Sequence, residues 1–194
     1  MGTAMLVPLD GSELAEVALG YAEALGKALG WSAVLFCAVP GERPQPLFLP
    51  AIPPPIEASR EVWDAWETEL GTADEATREE AQGALDAMAK AAQRLHAAGV
   101  PVTRQVSVGS PRDAIVRRAA DDDVAMIVMA SHGRTGLRRL LQGSVAAGVV
   151  DHAHRPTLVV SPFHDGQQRA ELKHADLLPA GQVVAVRQAI AAVD

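Results

Sequence analysis

Cysteine is almost absent. Cys37 is the one cysteine in 194 residues, so no intramolecular disulfide can form. It stands in an apolar run and reads as a small buried core residue. Aromatic side chains are scarce at 4% of the chain. The core must therefore be filled by Val, Leu, Ile and Ala, and the 48% of apolar residues is enough for one. Basic residues are also short: 17 Lys and Arg stand against 24 Asp and Glu, a net charge of -7. That sign argues against nucleic acid as a partner, because affinity for a phosphate backbone comes from Lys and Arg neutralising it. No apolar run is long enough to span a bilayer. The first residues carry no basic segment and reach Asp10 at once, so no signal peptide and no membrane partner are expected, and the expected compartment is the cytoplasm.

The chain alternates apolar runs with helical patterns. Ala4–Leu9 is a short apolar run broken by Asp10-Gly11-Ser12. Leu14, Val17, Ala18, Tyr21, Ala22, Leu25, Ala28 and Leu29 then recur at helical spacing. Ser12 or Asp10 can cap this helix, and Gly30 can end it. Ser32–Val39 reads as a buried strand. The stretch over about 40–56 holds Pro44, Pro46, Pro50, Pro53, Pro54 and Pro55, a density at which no regular element is expected. It reads as a surface insert, or alternatively as a lid or partner-binding segment.

Ile56, Val62, Trp63, Trp66 and Leu70 suit a short amphipathic helix. Ala84, Leu85, Met88, Ala92 and Leu95 mark a stronger one that ends near Gly99. Val102–Val108 alternates as a strand. Gly109-Ser110-Pro111 opens the next helix, and Asp121-Asp122-Asp123 closes it on the solvent side. Val124–Ala130 is nearly all apolar, as in a strand buried on both faces. Gly143–Ala153 is helical and Thr157–Ser161 is the last strand.

Strands separated by helices run parallel with right-handed crossovers. The expected fold is α/β: a doubly wound five-stranded parallel sheet, order 3-2-1-4-5, with helices on both faces. The domain is expected over 1–162. Residues 163–194 read as a C-terminal appendage with a weakly amphipathic helix at Val183–Val193 and little chemistry. Doubly wound sheets bind ligands beyond the carboxyl ends of their strands. The positions of interest are then Asp10, Val39, Gly109 and the run that starts at Ala130.

That run reads Ala130-Ser131-His132-Gly133-Arg134-Thr135-Gly136-Leu137-Arg138-Arg139-Leu140-Leu141-Gln142-Gly143-Ser144. A strand feeds a glycine-containing loop, and Gly143-Ser144 stands at a helix start. Glycine permits close backbone approach, and free N–H groups at a helix N-terminus attract phosphate. Three arginines add local positive charge. A plain N-cap explains Gly-Ser equally well, and neither a P-loop nor a Rossmann fingerprint is present.

The segment resembles the ATP-binding signature of the universal stress protein family, G-x-x-G-x9-G-[ST], through Gly133, Gly143 and Ser144 at the signature spacing. Val7-Pro8-Leu9-Asp10-Gly11-Ser12, Gly109-Ser110-Pro111 and Arg155-Pro156-Thr157-Leu158-Val159-Val160 are also similar to that family. The likeness runs over roughly 3–162. It implies an adenine nucleotide, ATP with or without magnesium, as ligand. Asp10 would contact the adenosine, and the backbone at Val39 would face the adenine. Gly133, Gly143 and Ser144 would hold the phosphates, with Gly109, Ala130, His132 and Arg134 beside them. Ala130 replaces the first glycine of the signature, at a cost of roughly 1 kcal/mol if that position needs positive φ. The resemblance further implies a homodimer through Thr157–Ser161, taken as an exposed apolar sheet edge.

Three functions stand side by side: a nucleotide-binding regulatory or stress-response protein with at most slow ATP hydrolysis, an adenine-nucleotide hydrolase or ligase, and a dimeric scaffold that binds no nucleotide. His132 is the one base in the loop, and a loop histidine without a visible partner is weak support for hydrolysis. His152 and His154 lie two apart, which suits solvent better than a shared metal.

Overall fold

The computed structural model describes residues 2–39, 47–50, 75–131, 145–162 and 168–193. The chain runs β1 (Ala4–Pro8), α1 (Glu13–Leu29), β2 (Ser32–Val39), β3 (Leu47–Pro50), α2 (Glu75–Ala97), β4 (Val102–Val108), α3 (Pro111–Ala119), β5 (Val124–Ala130), α4 (Val145–His152), β6 (Thr157–Pro162) and β7 (Gln168–Lys173). A 3-10 turn (Ala175–Leu177) then leads to α5 (Ala180–Ala191).

The local chemistry sets these boundaries as the sequence predicts. Ser12 caps α1, its hydroxyl accepting from the Ala15 amide, and Gly30 ends the helix in the left-handed region at φ 67. Pro111 occupies the first turn of α3. The C-terminus of α3 is closed by Arg155, whose guanidinium donates to the carbonyls of Ala119, Ala120 and Asp121. These are carbonyls that a helix end leaves without partners.

The sheet order is β3-β4-β2-β1-β5-β6-β7. Its five central strands are parallel and follow the expected 3-2-1-4-5 order. The difference lies at the margins, where β3 pairs antiparallel with β4 and β7 pairs antiparallel with β6, so the sheet has seven strands. The Pro-rich stretch therefore does yield a regular element. Proline is tolerated in an edge strand, and Pro50 stands at the end of this one. The helix expected around Val62–Leu70 falls outside the described residues.

The strand side chains alternate between two cores. Met5 and Val7 join Leu35, Val106, Val128 and Leu158 against α1, α2 and α5. Ala4 and Leu6 join Phe36, Ile127 and Met129 against α3 and α4. The C-terminal segment belongs to the first core: Val186 is fully buried, and α5 packs along α1.

One expectation needs correction. Thr157–Ser161 is not an open edge, because β6 is paired with β5 on one side and with β7 on the other. A homodimer through that strand requires β7 to leave. The run Asp121–Asp123 is exposed to solvent as expected, and it is also anchored. Arg118, whose side chain is 8% exposed, donates to Asp123 through two nitrogens at 2.7 Å each and to Asp121 at 3.1 Å. It also donates to Gln105 on β4. The turn is anchored to the sheet through a buried guanidinium.

Candidate functional site

Four adjacent strands, β4-β2-β1-β5, end at the same edge of the sheet. At or just past those ends stand, in spatial order, Gly109, Val39, Asp10 and Ala130. Residues that are far apart in sequence thus form one row, because parallel strands place all their carboxyl ends together.

Asp10 is oriented locally. Its Oδ1 accepts from the Ser12 amide at 3.0 Å and from the Ser12 hydroxyl at 2.6 Å. Ser12 in turn caps α1. The turn is reinforced by Leu9, whose amide donates to the Phe36 carbonyl. Gly11, at φ 78, supplies the left-handed residue that lets the chain bend from β1 into α1. The carboxylate is therefore held at the amino end of a 17-residue helix, where the dipole favours its charge.

Above Asp10 and Val39 lies a cavity of about 370 Å³ between α1 and α2. Its floor is Leu9, Asp10, Cys37 and Val39; its far wall is α2, with Ala84, Ala87 and Met88. Glu16 and Glu80 stand exposed at its rim. The volume falls within the roughly 300–1,000 Å³ of small-molecule sites.

Cys37 differs from expectation. It is half-buried and lines this cavity rather than filling the core. Burial pushes its thiol pKa up, and the charges of Asp10 and Glu80 add to the shift. The α2 wall was also not anticipated. Its signal is the small-residue spacing Ala84, Ala87, Ala91, which leaves a helix face low enough for a ligand to lie against.

Gly109 and Ala130 do not line the cavity. Gly109 acts on it through Val39, as its amide donates to the Val39 carbonyl at 2.9 Å. Ala130 is the last residue of β5, paired with Val160. Its φ is not positive, so alanine costs nothing there in backbone strain. Ser131 follows, 3% exposed, with a hydroxyl that has no hydrogen-bond partner. His132, Gly133, Arg134, Gly143 and Ser144 lie outside the described residues. The described chain resumes at Val145, the first residue of α4.

A second cavity, about 430 Å³, opens at the opposite end of the sheet, by Val124, His154 and Leu178. Arg155 there already serves the α3 carbonyls, and none of the residues expected to hold the nucleotide lines it among the described residues. Among the described residues no group of three His, Cys, Asp or Glu side chains is placed to hold a metal. None of the described helices is long and apolar enough to cross a membrane.

Comparison with known proteins agrees with this geometry. A sequence model described as the Universal stress protein family matches residues 1–161. The universal stress protein MJ0577 of Methanocaldococcus jannaschii is 32% identical over 159 residues, 80% of this chain and 93% of that protein. The universal stress protein MJ0531 of the same organism is 41% identical over 86 residues, 44% of this chain and 49% of that protein. The solved structure of MJ0577 superposes with a TM-score of 0.56 at 28% identity, covering 84% of this chain and 99% of that one. A universal stress protein solved in complex with cAMP superposes at 0.55 with 19% identity, over 82% of this chain and 97% of that one, a likeness of fold. The chain belongs to the universal stress protein family.

Proposed function

We propose that this protein binds an adenine nucleotide, ATP in the first place, in a regulatory rather than a fast catalytic role. The nucleoside end lies in the cavity over Asp10 and Val39, and the phosphates lie toward the loop 130–144 and the amino end of α4. The observation that carries the reading is the cavity itself, built at the carboxyl ends of β1 and β2 around an aspartate already locked in orientation. That is where a doubly wound sheet takes its ligand. The solved relative in complex with cAMP is in keeping with an adenine nucleotide.

Charge sets the direction of the ligand. Asp10, Glu16 and Glu80 make the cavity acidic, so it suits the uncharged base and ribose and disfavours phosphate. An oriented carboxylate accepts hydrogen bonds from a ribose hydroxyl or an exocyclic amine. Phosphate is better placed beyond Ala130, where the sequence supplies Gly133, Arg134, Arg138, Arg139, Gly143 and Ser144 ahead of α4. Unsatisfied amides at a helix start then face the anion. His132 is the sole histidine in that loop, and hydrolysis, if it occurs, is slow. We place the protein in the cytoplasm, in keeping with its single cysteine.

Isothermal titration with ATP tests this. Wild-type protein is expected to release heat. Asp10→Ala is expected to weaken binding by about one to two decades, through loss of a charge-assisted hydrogen bond of roughly 1.5–3 kcal/mol. Gly143→Val is expected to abolish binding with the circular dichroism spectrum unchanged. No heat and no thermal shift for folded wild-type protein at millimolar ATP would overturn the reading. Phosphate release measured in the same samples separates binding from turnover.

A further inference from the structure

One face of α2 looks onto the nucleoside cavity. Glu80, Ala84, Ala87 and Ala91 recur at intervals of four, three and four, which places them in one stripe along the helix. All four line the cavity. The three alanines keep the stripe low, and Glu80 stands at its amino end as its charged member. On the other side, Glu16 lies on α1 and Asp10 just past the end of β1. Three carboxylates thus border one space of about 370 Å³.

Nothing described there offsets their charge. Among the described residues that line the cavity, none is Lys, Arg or His. No ion pair among the described residues engages Glu16 or Glu80. Glu23, two turns further along α1, differs, since it pairs with both Lys27 and Arg94. The floor registers the imbalance: burial raises the Cys37 thiol pKa most, and the charges of Asp10 and Glu80 raise it further. Those two carboxylates come from different elements and act on the same floor residue.

Such a space accepts hydrogen-bond donors and repels anions. A ribose with free 2′ and 3′ hydroxyls brings two donors and no charge. A phosphate ester on either hydroxyl removes a donor and brings negative charge into the same space. A site built to bond a hydroxyl discriminates against a ligand that lacks it, because the buried acceptor is left unpaired.

We propose that Glu80 and Glu16 are specificity-determining residues. With Asp10, they restrict the cavity to nucleotides whose ribose 2′ and 3′ hydroxyls are both free, and they turn away 3′,5′-cyclic and 2′- or 3′-phosphorylated nucleotides. This rests on the nucleoside lying in that cavity. The 5′ phosphates escape the repulsion because, in that reading, they leave toward the end of β5.

Competition against ATP on the full chain tests the proposal. AMP and adenosine 3′,5′-bisphosphate form the central pair, since they differ by the 3′ phosphate alone. Wild-type protein is expected to bind the bisphosphate at least about tenfold more weakly than AMP, because like charges are brought together. Cyclic AMP is expected to follow the bisphosphate. Glu16→Gln combined with Glu80→Gln keeps side-chain size and removes two charges. Both residues are exposed, so the fold is expected to hold. The double variant is expected to shrink the ratio of the two affinities by about threefold or more, the scale of exposed charge interactions. Equal affinity of wild-type protein for AMP and the bisphosphate overturns the proposal. So does a ratio that the double variant leaves unchanged, which would make the discrimination one of shape. In both outcomes ATP still binds and the nucleotide reading stands. Folded wild-type protein that binds no ATP overturns both together.

Discussion

The Gly109 amide donates to the Val39 carbonyl at 2.9 Å, tying the end of β4 to the end of β2 at the floor of the cavity. Gly109 reaches this position with φ 124, which residues with a side chain rarely adopt. Gly109→Val is expected to destabilise the fold by about 1–3 kcal/mol and to weaken ATP binding as Val39 loses its brace. Urea unfolding and titration on the same variant check both effects. Unchanged affinity would show that the Val39 backbone does not contact the ligand.

Cys37 gives a footprint for the nucleoside. Its thiol ionises above the ordinary range, because burial and then the charges of Asp10 and Glu80 oppose a thiolate. Alkylation near pH 7.5 is expected to be slower than for an exposed cysteine, since only the thiolate reacts. Asp10→Asn is expected to speed it, and saturating ATP to slow it further. A labelling rate indifferent to bound ATP would place the base outside this cavity.

Asp123 gives the fold an acid limb. Its carboxyl is held below the usual carboxylate range, chiefly by the hydrogen bond from Arg118. A lowered folded-state pKa adds stability above the unfolded value, about 4, and that stability is lost as pH falls through the folded value. Asp123 is 54% exposed, so screening keeps the effect of Asp123→Asn to about 1 kcal/mol at pH 7. The gap between wild type and variant is expected to narrow as pH falls below the unfolded value of about 4 in urea unfolding. A gap constant with pH would assign the effect to shape rather than charge.

Two glycines of α1 are expected to respond oppositely to alanine. A Cβ at Gly26 would lie 2.7 and 2.8 Å from the two Val100 methyls and 3.2 Å from the Trp31 carbonyl. Overpacking of this kind costs about 1–3 kcal/mol, more than the helix propensity gained. At Gly20 the nearest atoms are 3.7 and 3.8 Å away, so Gly20→Ala is expected to add up to about 1 kcal/mol. Thermal unfolding of the pair checks the contrast, and equal shifts would contradict it.

Much of the fold is legible in the sequence because its signals are local. Ser12 and Gly30 bound α1, Pro111 starts α3, and unbroken apolar runs mark β1, β2 and β5. Their alternation with helices leaves a parallel, doubly wound sheet as the consistent solution, and that solution carries Asp10, Val39, Gly109 and Ala130 to one end. Cys37 departs from the sequence expectation because an apolar neighbourhood in sequence does not say whether a helix packs fully over it. The low alanine face of α2 leaves the space that Cys37 lines.

The sequence by itself determined the alternation of strands and helices, and with it a parallel sheet whose carboxyl ends carry Asp10, Val39, Gly109 and Ala130 together, since propensity, capping and connection length act over a few residues. Tertiary structure decided what closes the sheet. β3 carries proline and β7 is half charged, so neither announces itself as a strand. Each exists because a neighbouring edge offers hydrogen bonds that an isolated segment cannot make. The buried Arg118 and the depth of the cavity have the same origin: both depend on how closely helices far apart in sequence settle on one sheet, and no local pattern encodes that distance.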